Sequence, residues 1–476
     1  QDHYICDGRI QTLHPLFCWH GFRYFETEGP CEVLCAEVIH TDVAVTSSFS
    51  CSDPVLNWLY EAYIRTQLDN YHGCVPSDCP HRDRLGYTGD GQLTAETAML
   101  LLDTKELYRK WYQDILDSQG KETGHIPHTA PFLGGGGGPG GWGCAVYQVP
   151  LAWAKIYGDD SLLVQGYDAI LRWFDYMDAH SEKGLVVREE EGGWGLGDWC
   201  FPASEEKEQL PEAFINTFYY LHGLQEMMQI SEKMNNKLLI RFAEREKNVK
   251  NAFLDAYFDP ETGDFCEGRA AGNAYGLALG LGDERTKKHL VEKYEVLGRF
   301  DTGIFGTSML LEQLFSIGAG DLAVRLLTND SEAASFAYMK RNGATTLWER
   351  WDGRESHNHP MFGACVRLLF TQILGIRMTP SAQPPVINPA QPDVTAPPAQ
   401  ALKPLDGELQ PPAVPGSAQH FSYEIRLSSQ RQLTWAKGSI QTPDGILSVS
   451  WELLENGEKQ VEWSLAPAGE DKVPTM

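Results

Sequence analysis

The sequence predicts a mainly α fold, a toroid of paired helices with β segments before and after it. Three observations carry this. Helical periodicity fills the block from residue 52 to residue 376 with roughly ten helices, and no strand–helix alternation of the Rossmann or TIM kind interrupts it. Period-two alternation marks the stretches on either side. Two long loops inside the block gather glycine, tryptophan and carboxylates, as loops that carry function on a helical scaffold do.

Residues 1–48 hold "GFRYFETEG" and "CEVLCAEVIHTDVAVTSSF", which alternate apolar and polar side chains. They are too few for an independent sheet and read as the tail of an N-terminal β-domain. At Ser52-Asp53-Pro54 the period changes. Pro54 suits the first turn of a helix, and Val55, Leu59, Tyr63 and Leu56, Tyr60, Ile64 then recur at helical spacing. Further helical patterns run over 93–118, 159–180, 211–234, 238–258, 307–318, 319–327 and 360–376. Residues 379–419 are rich in Pro and Ala and read as a linker or extended cover. Strands return over 420–476, read as a small C-terminal β-sandwich. Leu447, Val449, Trp451 and Leu453 share one face, Asn456-Gly457 turns the chain, and Val461, Trp463 and Leu465 answer on the next strand.

The formal charge of -26 repels phosphate backbones and argues against nucleic-acid binding. No apolar run reaches membrane-spanning length, so no membrane insertion is expected. The 11 cysteines include no paired CxxC motifs and read as free, mostly buried thiols rather than a zinc site. The glycine run at 133–143, "LGGGGGPGGWG", lacks the GK[ST] ending of a phosphate loop and reads as a flexible rim over a site. No motif demands a metal or organic cofactor.

The stretch "SDCPHRDRLGYTGDGQ", residues 77–92, places Asp78, Asp83 and Asp90 in a segment broken by proline and glycine. Two readings compete there. Asp90 could cap the following helix while Arg82 and Asp83 form a surface pair of little consequence. Alternatively, the loop aims several carboxylates into one cavity. A second cluster, "GATTLWERWDGRESHNHPMFG" at 343–363, favours the cavity, with Glu349, Arg350, Asp352, His357 and His359 among tryptophans. Two acidic, aromatic clusters in one toroid fit glycoside hydrolysis. That chemistry needs one carboxylic acid to protonate the leaving oxygen and, in an inverting enzyme, a second carboxylate to activate water. Burial or neighbouring negative charge keeps the acid protonated. Flat faces of Trp142, Trp199, Trp348 and Trp351 suit the C–H face of a sugar.

These runs are similar to the signatures of the α-L-rhamnosidases of glycoside hydrolase family 78. The resemblance rests on "DCPHRDRLGYTGDGQ", on "GATTLWERWDG" with "NHPMFG", and on "HGFRYFE", "GDW" at 197–199, "DTGIFGT" at 301–307 and "WAKGSIQTPDGILSVSW" at 435–451, in order along the chain. It implies an (α/α)6 barrel catalytic domain over 49–378, between a partial N-terminal β-sandwich remnant and a C-terminal β-sandwich. It further implies an exo-acting, inverting hydrolase of terminal α-L-rhamnosides, acting on a carbohydrate with terminal L-rhamnose. A periplasmic or secreted location follows from such a substrate.

Residue by residue, the resemblance assigns the general acid to Asp83, where the family usually has Glu, and the base to Glu349. It places Asp78, Arg82 and Asp90 on the rhamnose hydroxyls. Trp142, Asp198, Trp199, Trp348, Trp351 and His359 fall on the aromatic and polar lining. The family often has Trp where Tyr87 stands and Asp where Cys144 stands. Two other readings remain at this point: an (α/α)6 enzyme acting on a uronic-acid-containing polysaccharide, and a glycan-binding pseudoenzyme suggested by the shorter Asp83.

Overall fold

The computed structural model describes residues 2–29, 31–134, 136–188, 195–202, 204, 209–233, 239–330, 334–380 and 421–467. Among them are twelve α-helices: α1 (Pro54–Asp69), α2 (Thr88–Leu101), α3 (Lys105–Ser118), α4 (Ala145–Tyr157), α5 (Ser161–Ala179), α6 (Glu212–Lys233), α7 (Leu239–Tyr257), α8 (Gly272–Ala278), α9 (Glu284–Leu297), α10 (Ile304–Ser316), α11 (Gly320–Thr328) and α12 (Phe336–Arg341). A 3-10 turn at Met361–Val366 and a π turn at Leu369–Ile373 complete the block.

The even-numbered helices from α2 to α10 line an inner ring. α2 packs on α4, α8 on α10, and the 3-10 turn on both α10 and α2, which closes the circle. The Tyr147 hydroxyl donates to Tyr219 O (2.8 Å) to join α4 to α6. Tyr275 of α8 meets Phe214 and Phe218 of α6 edge to face. Outside, α3 lies against α5, α9 against α11 and α11 against α1. An inner helix is covered all round, so it tolerates no bulk where neighbours come close. A Cβ at Gly91 of α2 would stand 2.2 Å from the Trp111 ring, and one at Gly89 would stand 2.5 Å from Trp142.

Local chemistry sets the helix ends. Asp53 accepts from Val55 N (2.7 Å) and Leu56 N (3.1 Å) ahead of Pro54, so α1 starts where the sequence signal places it. Several elements differ from the sequence reading: it assigns no helix to α8 or α12, and the pattern over 360–376 is the 3-10 turn and the π turn rather than an α-helix. The helical pattern over 93–118 is two helices: Leu102 turns extended, and Asp103 N bonds Ala44 O (2.9 Å). The sequence reading assigns no helix to α4, whose start adjoins the glycine run. It also assigns none to α9, whose charged surface hides a narrow buried stripe of Thr286, Leu290 and Tyr294.

The alternation before residue 47 predicts strands, but residues 2–29 and 31–46 form none beyond a single bridge from Val45 to Leu102. A strand needs a partner edge, and only Ser47–Cys51 has one. It pairs antiparallel with Trp435–Thr442, which pairs with Gly445–Leu453, which pairs with Lys459–Ala466. The first strand among the described residues thus belongs to the C-terminal sheet. Leu447, Val449 and Trp451 are buried on its inner face, and the Trp451 indole donates to Ile373 O (2.8 Å). The expected turn at Asn456-Gly457 is present, with Gly457 left-handed at φ 83°. A ribbon of Ile376–Pro380 and Phe421–Ile425 is tied to the sheet by the Tyr423 hydroxyl, which bonds Thr442 Oγ1 (2.9 Å) and Asp444 (2.8 Å). Apart from Thr379 and Pro380, the linker expected over 379–419 lies outside the described residues. No described helix is long and apolar enough to cross a membrane.

Candidate active site

The loop before α2 is folded on one buried carboxylate. Asp78 N donates to Leu85 O (3.1 Å), and Asp78 Oδ1 accepts from Leu85 N (3.0 Å). Residues 79–84 are thereby pinched into a bulge with Arg82 and Asp83 exposed on it. Arg84, in the left-handed region at φ 55°, points the other way. Its Nη1 donates to Trp19 O (3.1 Å), and its guanidinium lies 5.2 Å from the Trp19 ring centre. That ring stacks on His72 at 3.6 Å. The "HGFRYFE" segment therefore abuts the outer side of this loop: Gly21 sits so close to Pro80 and His81 that a Cβ would meet them at 3.0 and 2.9 Å.

The loop after α12 is anchored as firmly. Leu347 N donates to Thr66 Oγ1 (2.8 Å) of α1, and His359 N donates to Leu347 O (2.9 Å). Glu349 N donates to Ser356 O (2.8 Å), and Ser356 N returns a hydrogen bond to Glu349 Oε2 (3.1 Å). Trp348 stacks on His357 at 4.6 Å. Trp351 is buried between Phe300 and Phe362 and donates from its indole to Thr302 O (3.0 Å).

The two loops meet at Arg82. Its Nη2 lies 3.0 Å from Glu349 Oε2 and 3.3 Å from Oε1, its Nε 3.3 Å from Asp83 Oδ2, and its Nη1 2.5 Å from Glu355 Oε2. Glu349 is nearly enclosed, with its side chain 6% exposed, while Asp83 is 40% exposed. Oxygens of Asp83 and Asp78 lie within 4.8 Å of one another. Below them, Asp90 and His359 are both buried, with Asp90 Oδ1 3.5 Å from His359 Nε2, too far for a good hydrogen bond. Asp90 Oδ1, His359 Nδ1 and Trp142 Nε1 are buried polar atoms with no hydrogen-bond partner in the protein. Such atoms are costly unless a ligand or water meets them.

Burial shapes the charges here. It pushes the Asp78 carboxyl up to about 6, against hydrogen bonds from Cys79 and Leu85 that pull the other way. Burial, then the charges of Asp78 and Glu349, raise Asp90 well above the usual carboxylate range. Burial, then the charge of Arg82 and the nearness of His81, lower His359 to about 3. Both shifts favour the neutral forms of the facing Asp90 carboxyl and His359 ring. Such a pair can both donate to and accept from a hydroxyl group.

The remaining expected residues divide. Asp198 is buried at the N-terminus of α10, where its carboxylate accepts from Gly303 N (2.8 Å), Phe305 N (2.9 Å) and Gly306 N (2.9 Å). Its contacts hold a helix end. They also account for "DTGIFGT", since a Cβ at Gly306 would stand 2.4 Å from Asp198 Oδ2. Burial pushes Asp198 up to about 6 in spite of those three amides. Trp199 is half-buried and carries the Arg350 guanidinium over its ring at 5.2 Å. Trp142 is wedged between His128 and Phe305.

Two expectations change. α2 begins at Thr88, so Asp90 sits inside its first turn and does not cap it. The second half of the glycine run is packed rather than a rim: a Cβ at Gly140 would meet Asn216 Oδ1 at 2.2 Å and one at Gly143 would meet Trp173 at 2.6 Å. Sequence reasoning also passed over Glu355 and Trp19. Glu355 had one signal, a carboxylate six residues after Glu349 in a turn-forming run. Trp19 had only its neighbourhood in "HGFRYFE".

The model of the bacterial alpha-L-rhamnosidase 6 hairpin glycosidase domain matches residues 44–373. The chain is 30% identical over 404 residues to an alpha-L-rhamnosidase of Streptomyces avermitilis, covering 79% of this chain and 37% of that protein. It is 29% identical over 414 residues to one of Formosa agariphila, covering 79% and 42%. The fold superposes on the crystal structure of the Streptomyces avermitilis alpha-L-rhamnosidase complexed with L-rhamnose with a TM-score of 0.73 at 25% identity, over 87% of this chain and 37% of that one. The chain spans less than half the length of these relatives. With a ring of helical hairpins and a family match over most of its length, the chain belongs to the bacterial alpha-L-rhamnosidase six-hairpin glycosidase family.

Proposed function

We propose that the chain is an exo-acting, inverting α-L-rhamnosidase that removes terminal α-L-rhamnosyl residues from a glycan or glycoside without a metal or cofactor. The observation that carries this is the single guanidinium of Arg82 between Asp83 and Glu349, two carboxylates from loops far apart in the chain. The names of the relatives support the choice of sugar.

In this reading Asp83 gives its proton to the glycosidic oxygen as the bond to the anomeric carbon breaks. Glu349, oriented by Arg82 and Ser356 N, takes a proton from a water that attacks the opposite face. Arg82 and Asp78 serve the sugar from the bulged loop. The unpartnered polar atoms of Asp90, His359 and Trp142 meet its hydroxyls. Trp348, Trp351 and Trp199 shape the walls, and Asp198 holds the N-terminus of α10 in place. Asp83 is one methylene shorter than Glu, a set-back of ~1.5 Å, and it stands on the exposed bulge.

Release of nitrophenol from an aryl α-L-rhamnoside across pH 4 to 8 tests the reading, with Glu349→Ala as control. Turnover lost in the variant supports it. Rhamnose binding by calorimetry without turnover replaces it with a glycan-binding role. An unsaturated uronate product from an acidic polysaccharide replaces it with lyase chemistry.

A further inference from the structure

All three nitrogen positions of the Arg82 guanidinium face a carboxylate, and the third carboxylate is Glu355. A half-exposed ion pair of this kind contributes little by itself. Here it is one arm of a network, and the backbone is committed to it. Glu355 adopts φ 67°, a left-handed conformation that strains a non-glycine residue. The turn leading into it is closed by Asp352 Oδ1, which accepts from Arg354 N (3.1 Å), and by Gly353 at φ 75°. The next residue, Ser356, donates its amide to Glu349. One short turn therefore holds Glu349 by its backbone and Arg82 by its side chain.

We infer that Glu355 is a positioning residue of this site: by taking Nη1 of Arg82 it directs Nη2 onto Glu349 and withholds part of the cation from it, so that Glu349 stays an effective base. The inference rests on the rhamnosidase reading for what the base does. Other charged or titratable groups also face this pair. Asp83 shares Arg82, Asp90 and Cys200 lie close enough to feel Glu349, Arg350 faces Cys200, Cys79, His81 and His359 stand near Arg82, and Arg354 stands near Glu355. Among them Glu355 alone joins Arg82 from the turn that carries Ser356.

Glu355→Ala removes both the charge and the grip, Glu355→Gln the charge alone, and Glu355→Asp keeps the charge on a shorter arm. With an aryl α-L-rhamnoside, Glu355→Ala is expected to lower kcat by about ten- to a hundredfold, with KM changed far less. The acidic limb of its pH profile is expected to move down by about half a unit, the effect of a water-screened charge one guanidinium away. Glu355→Gln shares the shift of the limb, and Glu355→Asp recovers most of kcat. A profile that superposes on the parent's, or a rise in KM alone, overturns the inference and leaves the rhamnosidase reading intact.

A second measurement needs no turnover. Carboxyl 13C NMR of protein labelled at glutamate, with the Glu349 resonance assigned through Glu349→Gln, follows the base directly. A Glu349 titration that moves to lower pH in Glu355→Ala supports the inference even if the parent turns over no rhamnoside. A titration that does not move overturns it.

Discussion

Arg82 Nη2 and Glu349 Oε2 stand 3.0 Å apart, which joins the loop before α2 to the loop after α12. The same guanidinium reaches Asp83 and Glu355, so one side chain organises the acidic centre of the site. A lysine preserves the charge but not the planar fork that serves several carboxylates at once. Arg82→Lys is expected to lower kcat/KM on an aryl α-L-rhamnoside by about a hundredfold, while the thermal unfolding midpoint moves little because the residue is partly exposed. A variant with parent-like kinetics would remove Arg82 from the mechanism.

Asp83→Ala is expected to slow hydrolysis of a rhamnoside with an alkyl leaving group by about 10²–10⁴-fold. The loss with a nitrophenyl leaving group should be smaller, since that group departs with little proton assistance. The comparison of the two substrates is the measurement. Equal losses on both would assign Asp83 to binding rather than proton transfer. Asp83→Glu lengthens the arm by one methylene, and its kcat reports whether the bulged loop has already compensated for the shorter acid.

Asp78 ties pH to stability. Burial pushes its folded-state value up to about 6 from the ordinary carboxyl value of 3.8. A raised carboxyl stabilises the fold fully below the unfolded value, and that contribution is lost as pH rises through the folded one. The difference corresponds to about 3 kcal/mol at most. Asp78→Asn, which never ionises, should therefore gain on the parent between pH 4 and pH 7 in thermal unfolding. A gap between the two midpoints that stays constant over that window would contradict this.

Asp198 accepts from three amides at the start of α10. Asp198→Ala leaves three buried N–H groups without that partner and should destabilise the fold by about 2–4 kcal/mol. Asn keeps one acceptor oxygen and should cost less. Urea denaturation of both variants checks the order, and a ranking in which Asn is worse than Ala would argue that the site cannot admit an amide N–H₂ group.

Helical periodicity, the start of α1, the turn at Asn456-Gly457 and the order of the motifs were legible in the chain, because each is written over a few adjacent residues. The types of residue at the site were legible as well, because carboxylates beside glycine and tryptophan stand in two short runs of the chain. What sequence periods could not express was partnership at long range. Residues 21–46 alternate like a strand, yet only Ser47–Cys51 is one, since a strand exists where another edge accepts its hydrogen bonds. Asp198 reads as one more acid in a cleft until the amides of α10 are placed around it. Glu355 reads as a surface charge until ring closure brings Arg82 across to it. The sequence by itself determined a ring of helices and the chemistry of its loops. Only the tertiary structure decided which carboxylates share a cation, which are buried without a partner and which merely hold a helix, because those outcomes depend on distance and desolvation, which packing alone sets.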